Sequence, residues 1–203
     1  AVGKKAFKCF HKKTADKKPE YKIPSIYANE KYLKYLLEET QNMFSVKKFN
    51  PRFNMSWDAR HFYITLQISS DSLNELQAYE FGYQLLFGFQ DEFAKVVFIK
   101  PLQSGEHRVF LWQENYDEGR YIEAKVRTFY EQGVFKINAV LPWNILSYKP
   151  QRHDILFFDV TIRTAKESLY HEEHIVSWST GRYFLRPWAD KCDQSIINLI
   201  QFV

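Results

Sequence analysis

Apolar and polar residues alternate over much of the chain after Pro51. In the run from Phe62 to Ile68, Phe62, Ile64, Leu66 and Ile68 occupy every second position, with Tyr63, Thr65 and Gln67 between them. A period of two sends successive side chains to opposite faces of an extended chain, so this run predicts a strand with one face in a core. Similar runs predict strands over 82–89, 94–99, 107–113, 123–130, 134–141, 155–163, 173–178 and 195–203. The breaks hold turn-forming residues: Asp71-Ser72, Gln103-Ser104-Gly105, Asp117-Glu118-Gly119, Gln132-Gly133 and Thr180-Gly181. Parallel neighbours would need long helical crossovers, and the spacing leaves no room for them. The expected fold is therefore all-β, an antiparallel two-sheet β-sandwich.

The pattern before Pro51 differs. Asn29 can cap a helix, and Tyr32, Leu33, Leu36 and Leu37 form one apolar stripe, which predicts one short N-terminal helix over 29–39. Residues 1–28, rich in Lys and broken by Pro19 and Pro24, read as an extended arm, leaving 29–203 as a single domain. A chain of 203 residues is long enough to bury a core without cross-links.

Composition sharpens this picture in two ways. The chain holds 18 Phe, 13 Tyr and 5 Trp, a load that suits broad pleated sheets and also supplies flat faces for stacking on a ligand. Trp57, Trp143 and Trp178 stand on or beside apolar strands and are expected in the core. The formal charge of +4 owes much to lysines among the first 22 residues. A folded nucleic-acid binder carries its basic stripe on the domain itself, so no nucleic-acid partner is expected. No apolar run is long enough for a transmembrane segment, and the basic start lacks the apolar stretch of a signal peptide. The two cysteines, Cys9 and Cys192, lie near opposite ends, and both a bridge and two thiols remain open.

Common catalytic signatures are missing. There is no Gly-rich phosphate loop, no nucleophile elbow, no His-Glu-x-x-His and no Cys-x-x-Cys, so a non-enzyme is expected. His171-Glu172-Glu173-His174 has metal-ligand chemistry, but neighbours on a strand point to opposite faces, and the run reads as a solvated loop. Asp91-Glu92 and the group Glu114, Asp117 and Glu118 read as turn and surface carboxylates rather than a glycosidase pair. Met43 and Met55 are the only methionines, and Met55 reads as a core residue rather than a haem ligand.

An ordered set of motifs goes further. Trp57-Asp58 with Phe62-Tyr63-Ile64, Tyr79-Glu80-Phe81-Gly82-Tyr83-Gln84-Leu85-Leu86-Phe87, Val140-Leu141-Pro142-Trp143, and Ile175-Val176-Ser177-Trp178-Ser179 with Trp188 and Ile196-Ile197-Asn198-Leu199 follow one another. Together they resemble the family 9 carbohydrate-binding modules over about residues 53–203. The resemblance implies a β-sandwich that clasps a terminal sugar between two aromatic rings, and commonly a structural calcium ion. It places the clasp at Tyr79 and Trp188, with Glu80 beside the first. Arg182 and Arg186 are candidate polar groups near Trp188. Gly82 stands where the motif has a second acidic residue. A sugar ring offers an apolar C–H face to such rings while its hydroxyls take directed hydrogen bonds. The expected function is non-catalytic glycan binding by an extracytoplasmic module. The alternatives are a structural or assembly module contacting a larger surface protein, and a haem-binding electron-transfer domain of similar fold.

Overall fold

The alternating runs form strands, and their inward faces meet in one core. The computed structural model describes residues 6–17, 19–23, 49–89, 94–113, 119–164, 175–178 and 198–203. The strands are β1 (Phe7–His11), β2 (Tyr21–Lys22), β3 (Arg52–Trp57), β4 (His61–Ser69), β5 (Phe81–Gly88), β6 (Lys95–Pro101) and β7 (His107–Gln113), followed by β8 (Arg120–Tyr121), β9 (Lys125–Glu131), β10 (Val134–Pro142), β11 (Ile155–Thr164), β12 (Ile175–Ser177) and β13 (Asn198–Phe202). One short helix, α1 (Glu75–Ala78), joins β4 to β5. Asn74 caps it by accepting from the Gln77 N–H, while the Gln77 side chain accepts from the Asn74 N–H.

The expectation of an all-β chain holds, but the strands do not form two separate antiparallel sheets. They make one mixed sheet in the order β8-β7-β6-β5-β11-β13-β1-β3-β4-β10-β9, with β12 beside β11 and β2 beside β3. The link is β1. Phe7, Lys8 and Cys9 pair in parallel with Ile200, Gln201 and Phe202 of β13, and Phe10 and His11 then pair in parallel with Ser56 and Trp57 of β3. Without it, β13 and β3 would each present a row of unpaired N–H and C=O groups, and β1 satisfies both. Alternation along β3 and β13 shows which face is buried, but it carries no sign of a strand shared between them. The structure thus draws the Lys-rich arm into the sheet: Cys9 is fully buried, and Tyr21 packs on Phe53.

The sheet curls so that its two halves face each other. Phe62 of β4 meets Phe87 of β5 at 5.2 Å and Phe158 of β11 at 5.3 Å between ring centroids. Phe53 of β3 reaches Phe158 and Trp178. The three tryptophans expected in the core, Trp57, Trp143 and Trp178, are all buried, and so is Met55. The register between β9 and β10 is set by a two-residue turn in which Gln132 and Gly133 both have positive φ, 46° and 76°. That conformation matches the twist of a hairpin and favours glycine at the second position. The expected helix over 29–39, the 171–174 run and Cys192 lie outside the described residues. β1 does run beside the last strand, which is the arrangement that would bring Cys9 towards the C-terminal segment.

Candidate functional site

Tyr79 and Glu80 follow directly from α1, on the turn that leads into β5. The helix is too short to be held by its own ladder. Its cap, the burial of Ala78 and the bond from the Tyr79 N–H to the Glu75 carbonyl fix where the turn emerges. The Tyr79 ring is half-buried and stands edge-on to Phe135 of β10, with centroids 5.0 Å apart. Its hydroxyl lies 3.2 Å from the Thr128 hydroxyl of β9. The ring is thus anchored at its edge and its tip. Nearby, the Tyr130 hydroxyl donates to the Leu73 carbonyl at 2.8 Å, which ties the approach to α1 onto β9.

Beneath this turn sits a residue that the sequence reading did not single out. Lys100 of β6 is buried, and its ammonium donates to the carbonyls of Tyr79 at 2.5 Å and Phe81 at 3.4 Å. Burial pulls its pKa down to about 8, against the attraction of the Glu80 carboxylate. The signal was present, since a lysine closes the apolar run Val96-Val97-Phe98-Ile99 just before Pro101. Nothing in that run names its partners, because two are main-chain carbonyls about twenty residues away.

The arrangement therefore offers an anchored aromatic ring beside a carboxylate and a buried cation. It has the ingredients for packing on an apolar surface and for hydrogen bonding to hydroxyls. Arg182, Arg186 and Trp188 lie outside the described residues, so the structure brings together Tyr79 and Glu80 from the expected set and adds Lys100 and Thr128.

A second polar cluster surrounds Asp58. Its carboxylate accepts from the backbone N–H groups of Arg60 and His61 at 2.7 and 2.8 Å and from the Tyr63 hydroxyl at 2.6 Å. Burial pushes the Asp58 carboxyl up, but these hydrogen bonds outweigh it and hold the group below the ordinary carboxylate range. The Asp58 carbonyl also accepts from the Trp143 indole N–H at 2.9 Å. Asp58 thus fixes the turn between β3 and β4, which accounts for the Trp57-Asp58 motif without a ligand. Among the described residues, no group of three or more His, Cys, Asp or Glu is placed to hold a metal. Asp58 already directs its oxygens at three donors.

No family model matches the chain, and no curated protein matches it in sequence. Its fold is similar to that of a candidate carbohydrate-binding protein from Bacteroides uniformis, with a TM-score of 0.56 and 9% identity, over 99% of this chain and 100% of that one. Two structures of a family 9 carbohydrate-binding module from Caldicellulosiruptor kristjanssonii overlap it less closely. The complex with glucose gives a TM-score of 0.41 at 14% identity, over 76% of each chain. The complex with cellotriose gives 0.42 at 14% identity, over 75% of this chain and 74% of that one.

Proposed function

We propose that this domain binds carbohydrate, without catalysing a reaction on it, as a module of an extracytoplasmic protein. The observation that carries the reading is the likeness in fold, over the whole length of both chains, to a candidate carbohydrate-binding protein. The turn at Tyr79 and Glu80 supplies chemistry suited to the task. In this reading the half-buried Tyr79 ring packs on the C–H face of a sugar, and Trp188 closes on the opposite face. Glu80 accepts hydrogen bonds from ring hydroxyls, and Arg182 and Arg186 donate them.

Anchoring matters to this reading. A tyrosine already held by Phe135 and Thr128 loses little freedom when a sugar arrives. Lys100 holds the main chain of Tyr79 and Phe81, and so positions Glu80 without touching the ligand. Few ligand atoms are engaged, so affinity falls roughly between micromolar and millimolar.

The test is a glycan-array screen of the wild type beside the Trp188→Ala variant. The reading expects a set of glycans bound by the wild type and lost in the variant. Silence of the wild type across all glycans would instead favour an assembly module that contacts another protein.

A further inference from the structure

We propose that the outward face of β2, β3, β4, β10 and β9 is a second binding surface, for an acidic polysaccharide. It is separate from the turn at Tyr79 and does not rest on the carbohydrate reading of that turn.

Strand register assembles the face. Lys22, Arg52, Gln67, Lys136 and Phe129 are successive cross-strand partners in one row over five strands. Asn54, Thr65, Asn138 and Arg127 form the next row. Tyr63, Val140 and Lys125 form the third, which ends at the buried Ser56. Directly opposed residues share a face, and their intervening neighbours Phe53, Met55, Leu66, Ile64, Ile137 and Phe135 fill the core. The 3-10 turn after β1 adds Lys12, whose ammonium lies 4.1 Å from the Tyr63 ring centroid.

Charge on this face is one-sided. Lys12, Lys22, Lys125, Arg127 and Lys136 are exposed, and Arg52 is partly exposed. Against these six cations stand four carboxylates among the described residues, and one of them, Glu123, is exposed two residues before Lys125. Glu20 is taken up by Arg52 at 2.7 Å, and Asp58 by Tyr63 and two backbone N–H groups. Glu131 lies at one end, opposite Val134. A modest net charge of +4 for the chain thus hides a concentrated positive surface on the domain itself.

The centre of the face is polar and neutral. Thr65 donates to the Asn138 side-chain oxygen at 2.8 Å, and Asn138 is exposed. Asn54 and Gln67 flank this pair. A row of amides and hydroxyls between cations matches a chain that is rich in hydroxyls and carries repeated anionic groups. Lys125 and Arg127 stand about 7 Å apart along β9, and Lys136 lies a similar distance away on β10. Arg127 can grip a carboxylate or sulfate with two parallel N–H donors.

Other occupants fit less well. A single-stranded nucleic acid wants aromatic faces at the middle of the sheet on which bases stack. Here Phe129 is at one rim, Phe10 beside Ser56 is at the other, and Tyr63 is covered by Lys12 and bonded to Asp58. An acidic protein partner would need an apolar centre to the contact, and this centre is Asn and Thr.

Calorimetric titration with polygalacturonate tests the proposal. Wild type should bind it at about 0.05 M salt and weaken at least tenfold by about 0.5 M, as exposed charges are screened. Arg127→Ala/Lys136→Ala should bind at least tenfold more weakly, and Arg127→Glu/Lys136→Glu should show no binding, with thermal midpoints close to wild type because all these side chains are exposed. Trp188→Ala should bind polygalacturonate like the wild type, which separates this surface from the turn at Tyr79. The proposal is overturned if wild type ignores polygalacturonate at low salt, or if the charge-reversed variant binds it unchanged. Loss of binding in Trp188→Ala, or stronger binding to single-stranded oligodeoxythymidylate, would overturn it equally.

Discussion

Replacing Trp143 by Ala probes how the two halves of the sheet are held together. The residue is 2% exposed and sits in the 3-10 turn after β10. Its ring meets Phe62 at 5.5 Å, Tyr148 at 5.6 Å and Phe202 at 5.5 Å, so it touches β4, the loop before β11 and β13 at once. Its N–H donates to the Asp58 carbonyl at 2.9 Å. Truncating a buried tryptophan to alanine removes transfer energy and leaves a cavity, together about 3–5 kcal/mol. The hydrogen bond accounts for about 1 kcal/mol of this, and the half-exposed Asp58 turn lets water take its place. At roughly 2–4 °C per kcal/mol for a domain of this size, the thermal midpoint should fall by about 6–20 °C. Trp143→Phe keeps an aromatic ring and loses the N–H, so it should lose only about 1–2 kcal/mol. Urea and thermal unfolding of the three proteins supply the comparison. A loss below about 1 kcal/mol in Trp143→Ala, or equal losses in both variants, would refute a packing role.

Two other perturbations follow from the local geometry. In Gly133→Ala the new Cβ would lie 2.4 Å from the Ser70 carbonyl at a φ of 76°, so the β9–β10 turn must shift, with a stability loss of at least about 1 kcal/mol by chemical unfolding; wild-type stability would mean that the turn adopts another form. The Lys100 pKa is lowered in the fold, from an ordinary 10.5 to about 8, so between those values the unfolded chain holds more protons and stability rises with pH. Below about pH 8 both states are protonated and the full desolvation penalty is present. Tyr21, pushed up to about 12, works in the opposite sense above pH 10, so the comparison is made between pH 8 and 10. Lys100→Met should flatten the rise seen there in urea unfolding, and an unchanged slope would dismiss Lys100 as its source.

The inward faces were legible because they depend on local alternation. His107–Gln113 and the β10 and β11 segments were read nearly to the residue, and the burial of Trp57, Trp143 and Trp178 followed from their place on those strands. The role of β1 was not legible. Phe7–His11 is five residues inside a lysine-rich stretch, and its partners are at opposite ends of the chain, so nothing local marks it as a strand. Parallel pairing on both sides is a property of the assembled sheet. The cationic face escaped notice for the same reason. Lys22, Arg52, Lys136 and Arg127 are scattered in sequence, and only the register gathers them. Tyr79 and Glu80 were found through motif resemblance, whereas Lys100 reaches them across the sheet through main-chain carbonyls that no sequence pattern reveals.

The central claim is that the turn at Tyr79 takes part in binding a sugar. Amide NMR measures this directly, by titrating the labelled domain with the neutral glycan that responds most strongly on the array. The account predicts saturable shifts centred on the amides of Tyr79, Glu80 and Phe81 and on the indole of Trp188, with the response lost in Trp188→Ala. Absence of shifts, or saturable shifts that leave Tyr79 and Glu80 untouched, would contradict it.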